Sequence, residues 1–420
     1  MNRLLTTLFI ALIALLMTHT TNASEEETDA PDISPALVAH LEDLEARTVE
    51  LRGLEPLRDV VRVFPTADEV RDIIQALFDE QVTPEEVAAV ELFYRAFGFV
   101  DDDFDLRTAY IDLLSDQVAG FYDTESRAMH VILMGGEPLG DRLPLLEQVT
   151  YVHEYVHALQ DQHFDLEALR SAVPEGEIDQ GMALLSLIEG DAVVMMTDFM
   201  LAAVRDDPRL LIEALAIDTD AAQLPASVPP IMEAELLTPY LAGQNFVSRL
   251  RLIGGWELVD AAFADPPMSM AQIFDVQKYI DGIVPRPVIL READALDDWT
   301  PAFERTLGVF YLSEYLGHRL SQRAAMNALD GWMGDRYALY QGADDDVAWL
   351  GRITWHDESA RDEFERVFIT DYLREDGADA LTCGDDVAGV VCISAIGERD
   401  TLIAAGPTKE AAAQLIDSQR

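Results

Sequence analysis

His153-Glu154-Tyr155-Val156-His157 sets two imidazoles and a carboxylate at a spacing that can hold and use a metal ion. Residues four apart lie on one face of an α-helix, so His153 and His157 converge on a single ion. Glu154 projects about 100° round the axis from His153, where it can take a proton from metal-bound water. Zinc would supply the acidity, lowering the pKa of that water towards ~7. The surroundings strengthen this reading. Leu145, Val149, His153 and His157 form one i, i+4 row, flanked by Val152, Val156 and Leu159. The histidines therefore continue the buried face of their helix, where burial without partners is costly.

Catalytic zinc takes three protein ligands, and two residues compete for the third place. Glu189 lies in Leu187-Ile188-Glu189-Gly190-Asp191-Ala192, in an apolar row with Leu185 and Val193, and with Met182 and Met196 on the same side. A lone carboxylate in such a row calls for a cation. His163 is the rival, because its distance from His157 is that of the metzincin signature. That signature turns on a glycine where this chain has Gln160. If the helix runs on, His163 lies roughly 240° round the axis from His157. Helix geometry thus favours Glu189, with a metzincin-like site through His163 as the alternative.

The HExxH motif followed by Glu-Gly-x-Ala on a later helix resembles the gluzincin metallopeptidases, in particular their bacterial peptidase MA-like branch. The likeness is firmest over His153–Val194 and looser over Gly120–Leu133 and Pro239–Val247. It implies a zincin-like core, an active-site helix plus a small sheet. It also implies zinc on His153, His157 and Glu189, and Glu154 as general base. A strand around Arg127–Leu133 would be the edge to which a peptide adds by backbone pairing. One departure stands out: thermolysin-type members have an aspartate four residues after the ligand glutamate, and here that place is Val193. Another residue must orient the histidines, and Asp161, four after His157, is the candidate. Tyr240 is a possible oxyanion donor, but after Pro239 it is set aside as a tyrosine packing at the start of a helix.

The elements that must position these groups are mainly helical, giving an α+β class. Leu145–Gln162 and Glu177–Val204 read as long helices, and Pro144 suits the start of the first. Asp59–Phe64 alternates like a strand, Gly120–Leu133 reads as two short strands, and helix follows Tyr240. In the last third, Ala302–Leu329 reads as helix. Strands are expected at Asp335–Tyr340, Val347–Trp355, Val387–Ala395 and Asp400–Ala405, with helices at Glu358–Leu373 and Thr408–Ile416. That is a strand-strand-helix unit occurring twice. The expected organisation is a signal peptide over 1–23, an acidic leader and helical region over 24–100, the zincin-like domain over 101–300 and an α+β subdomain over 301–420.

Composition sets the context. Met1-Asn2-Arg3, an uncharged run from Leu4 to Met17 and Thr21-Asn22-Ala23 match a secretory signal cut after Ala23. The run is too short to span a bilayer, so the mature protein is expected outside the cytoplasm without stable membrane insertion. A net charge of −49 argues against nucleic acid and anionic membranes as partners. In an exported chain Cys383 and Cys392 read as one disulfide across a short hairpin. The acids are spread through the chain and form no loop with calcium-ligand spacing. The expectation is an exported zinc metallopeptidase acting on a peptide or protein substrate. The competing reading is a non-catalytic exported acidic protein whose zinc site serves stability or binding.

Overall fold

The computed structural model describes residues 34–117, 120–124, 126–132, 140–210, 212, 224–291, 299–343, 346–376 and 379–420. The expected signal segment and acidic leader lie outside them. The chain is α+β and predominantly helical. Helix α1 (Pro35–Arg52) starts at Ser34, whose hydroxyl accepts from the Leu37 N–H, and stops at Gly53, a left-handed residue at φ 79°. Strand β1 (Val61–Val63) follows, then α2 (Ala67–Gln81) and α3 (Pro84–Ala96). Both of these helices open with capping boxes, Thr66 with Glu69 and Thr83 with Glu86. After α4 (Leu106–Gln117) come β2 (Gly120–Asp123) and β3 (Ala128–Val131).

These three strands form a small sheet in the order β1-β3-β2, with β1 parallel and β2 antiparallel to β3. The segment expected to offer a free edge is therefore the middle strand, paired on both sides. The alternation at Asp59–Phe64 was readable as a strand, but nothing in it said which neighbour its backbone groups would satisfy. The edge beside the metal-site helix is β2.

The middle of the chain is three long helices and their connectors. Helix α5 (Leu145–Phe164) carries His153 and His157, and α6 (Leu166–Ser171) follows it. Helix α7 (Ile178–Asp206) carries Glu189, and α8 (Pro230–Ala264) carries Tyr240. Helix α8 starts ten residues before Tyr240 and tolerates Pro239 within it. It kinks at Gly254–Gly255, where Gly255 adopts φ 69°. Short helices α9 (Met270–Phe274) and α10 (Val276–Ile280) lead towards the C-terminal part.

Helices α7 and α8 touch backbone to backbone. A Cβ on Gly243 would overlap the Ser186 carbonyl oxygen, and one on Gly190 would overlap the backbone of Gly243. This close approach explains both glycines, and it fixes the spacing of Glu189 and Tyr240 across the pair. Gly243→Ala should therefore destabilise the protein by about 1–3 kcal/mol or more, because rigid backbone rather than a mobile side chain must give way. Denaturant unfolding measures this, and an unchanged midpoint would contradict the packing.

The C-terminal part is a six-stranded antiparallel sheet in the order β4-β5-β6-β9-β8-β7. Its strands are β4 (Thr300–Arg305), β5 (Trp332–Gln341), β6 (Val347–Trp355), β7 (Thr382–Asp386), β8 (Gly389–Ile396) and β9 (Asp400–Gly406). Helices α11 (Gly308–Gly317) and α12 (Gln322–Ala328) separate β4 from β5. Helix α13 (Glu358–Val367), extended by a π-helical turn over Phe368–Leu373, follows β6, and α14 (Lys409–Ser418) follows β9. The two strand-strand-helix units are present as β5-β6-α13 and β8-β9-α14. Each gains an outer strand that the sequence reading lacked. Thr300–Arg305, which overlaps the start of the stretch read as helical over Ala302–Leu329, is an edge strand; Pro301 sits in it beside a register shift, where a missing N–H is tolerated. Thr382–Asp386 is too short and too polar to have shown as a strand.

Cys383 and Cys392 face each other across β7 and β8 and are joined as a disulfide, as the spacing implied. Closing a loop this short contributes about 2–3 kcal/mol in the chain-entropy account. Cys383→Ser should lower stability by that amount, and non-reducing mass spectrometry of the wild type should find no alkylatable thiol. Full alkylation of both would refute the staple.

Candidate metal centre

Helix α5 lies across the small sheet and against α1 and α7, so nearly all of its middle is buried. It runs unbroken through Gln160. The left-handed residue comes only at Asp165, φ 55°, whose carboxylate then caps α6 through the Ala168 N–H. His163 consequently points away from the other histidines, and its Nε2–H donates to the Glu55 carbonyl at 2.8 Å on an exposed stretch. The metzincin-like arrangement is not formed.

His153, His157 and Glu189 come together as a buried group whose ligating atoms all lie within 4.8 Å of one another. His153 Nε2 is 3.0 Å from His157 Nε2 and 3.2 Å from Glu189 Oε2; His157 Nε2 is 3.5 Å from the same oxygen. Ligands about 2.0–2.1 Å from a tetrahedral ion lie about 3.3 Å apart, so the three atoms fit one face of such a shell. His157 and Glu189 are fully buried and His153 nearly so. Neither oxygen of Glu189 makes a regular hydrogen bond with the protein. Three acceptor atoms meeting in a buried space are held together by a shared proton or a cation. The group can hold a metal ion.

The electrostatics agree with that description. Burial works to raise the Glu189 pKa, but the two imidazoles outweigh it and hold the carboxylate well below its usual range. Burial works to lower His157, yet Glu189 overrides it and raises it to about 9. Without metal, His157 therefore keeps a proton that a metal must displace, and binding weakens in acid.

Glu154 sits beside this cluster and outside it. Its Oε2 has no partner, while its carboxylate accepts a hydrogen bond from the Tyr122 backbone N–H on β2. Burial pushes its pKa up against the pull of His153 and His157. Gly120 keeps β2 close: a Cβ there would crowd the Glu154 Cγ at 3.1 Å. Tyr240, set aside in the sequence, is at the site. Its ring stacks on His153 with centroids 6.0 Å apart, and its hydroxyl faces Glu189. Burial raises its pKa well above the usual value, so it stays a donor.

Asp161 does not orient a histidine. Its carboxylate pairs with Arg58 at 2.5 Å and accepts from Tyr122 Oη at 3.0 Å. The residue behind His157 is Gln160, with Oε1 2.9 Å from Nδ1. Behind His153 Nδ1 lies only the Met196 sulfur, at 3.0 Å. Gln160 was findable from sequence, since it lies three residues after His157 on the same buried face.

A family model for a domain of unknown function (DUF8575) matches residues 300–416, which is the six-stranded sheet unit and excludes the metal cluster. Searches of curated proteins and of solved structures give no match. Among the described residues no helix is long and apolar enough to cross a membrane.

Proposed function

We propose that this protein is an exported zinc-dependent metallopeptidase that hydrolyses peptide bonds. The observation that carries the reading is the buried His153–His157–Glu189 group with Glu154 beside it, its free oxygen unpartnered. Two imidazole nitrogens and one carboxylate oxygen are the donor set of a catalytic zinc site that keeps one position open. Zinc held there supplies Lewis acidity, acidifying water and polarising a peptide carbonyl.

The chain's own groups would divide the remaining work. Glu154 takes a proton at Oε2 and returns it to the departing amine, and its raised pKa suits both steps. Tyr240 offers an O–H to negative charge developing on the carbonyl oxygen. Strand β2, the edge of the small sheet beside Glu154, is the place for an extended peptide to pair. A site kept only for stability has no use for an unpartnered buried carboxylate oxygen next to its ligands.

The test is the metal content of the purified protein beside hydrolysis of a broad peptide library, with the Glu154→Gln variant run in parallel.

A further inference from the structure

His157 is backed by a chain of polar groups, buried as far as Arg52, that runs through four helices, α5, α7, α1 and α8. Its Nδ1 lies 2.9 Å from Gln160 Oε1. Gln160 Nε2 donates to the Ile188 carbonyl at 3.0 Å and to Asp191 Oδ2 at 2.9 Å. Asp191 Oδ1 accepts from Arg52 Nε at 2.8 Å, and Arg52 Nη2 donates to Asp260 at 2.6 Å. The Arg52 guanidinium also lies over the Trp256 ring, 4.4 Å from its centroid. Gln160, Asp191 and Arg52 have no exposed surface, so bulk water does not compete for their hydrogen bonds.

Each link has only one possible direction. Arginine only donates and an ionised carboxylate only accepts. Asp191, held by Arg52, must therefore receive its second bond from the amide nitrogen of Gln160. Both hydrogens of that nitrogen are then used, on Asp191 and on Ile188. The amide oxygen is left as an acceptor and can take a bond only from a protonated Nδ1. The lone pair that His157 can offer is then on Nε2, the atom facing His153 and Glu189.

We infer that Arg52, Asp191 and Gln160 are positioning residues that fix which ring nitrogen of His157 faces the metal. This rests on reading the cluster as a zinc site. The motif Glu189-Gly190-Asp191 then has three separate tasks: a ligand, a helix contact and a link in the relay. His153 has no such backing, because a thioether is a weak acceptor. The two histidines are therefore not equivalent.

Asp191→Asn is the informative change because it keeps shape and removes direction. Arg52 claims the new amide oxygen, so an NH2 group faces the Gln160 NH2. Gln160 must turn over, presenting a donor to Nδ1 and moving the His157 proton to Nε2. Zinc affinity, read by competition with a chromophoric chelator, should fall roughly 10–100-fold. In the metal-free protein, at a pH where the His157 ring is neutral, ¹⁵N–¹H spectra should lose the bonded Nδ1–H signal of His157. Adding Gln160→Glu to Asp191→Asn restores an acceptor towards both Nδ1 and residue 191, at the loss of the donor to Ile188, and should recover part of the affinity, which a merely structural role would not do. If Asp191→Asn does not fold, Gln160→Leu carries the same test with the Arg52–Asp191 pair intact. Zinc affinity within twofold of wild type and an unchanged Nδ1–H signal in the folded variant would overturn the relay. A wild type that binds no zinc would instead sink the metal reading, while the imidazole spectra still decide the relay.

Discussion

Glu154→Gln should bind zinc as the wild type does and hydrolyse peptides at least ~10²-fold more slowly, the size of effect that follows loss of a general base. The substitution is close to neutral for the fold. Glutamine keeps the Cγ that packs beside Gly120, and its amide oxygen can still accept from the Tyr122 N–H. Glu154 is also not among the three converging ligand atoms, so metal content has no reason to change. What disappears is a carboxylate whose pKa is raised by burial and whose Oε2 is unpartnered beside the cluster. Equal activity in the variant, or a wild type inactive on every peptide in a broad library, would favour the non-catalytic zinc protein.

The sequence exposed this site because its key relations are short-range. The i, i+4 spacing of His153 and His157, and the apolar rows of Glu189 and its neighbours, follow from helix geometry alone. The two long helices appear where their periodicity placed them, within a residue or two at each end. Relations between elements were not legible. The pairing of β1 with β3, which leaves β2 as the edge, depends on where a distant segment docks. The placement of Tyr240 on His153 depends on two glycines meeting across α7 and α8, and neither glycine alone signals that. Asp191, two residues from Glu189, does not touch the histidines by itself; Gln160 supplies the reach, and that contact between helices has no signal in the local sequence. The strand Thr300–Arg305 was hidden because a short edge strand next to helix has no period of its own to read.

The ligand set separates the two zinc-peptidase classes and has the other large expected effect. Purified wild type should carry about one zinc per chain. Glu189→Ala should lose it, with affinity falling by more than the roughly 10–100-fold that follows loss of a residue behind a ligand. The reason lies in what remains: two imidazole nitrogens 3.0 Å apart in a buried site, with no anionic ligand to complete the shell of a dication. His153→Ala and His157→Ala should behave likewise. His163→Ala should keep both zinc and activity, because that ring only donates one exposed hydrogen bond to Glu55. Its loss costs about 0.5–1.5 kcal/mol of stability at most. Gln160 rather than glycine explains the difference. A turn there would force a non-glycine residue into left-handed backbone, at about 1–2 kcal/mol, and would also break the buried bonds that Gln160 makes with His157, Ile188 and Asp191. The chain turns instead at Asp165, beyond His163. Stoichiometric zinc in Glu189→Ala, or zinc lost from His163→Ala, would remove Glu189 from the site and return the third place to His163.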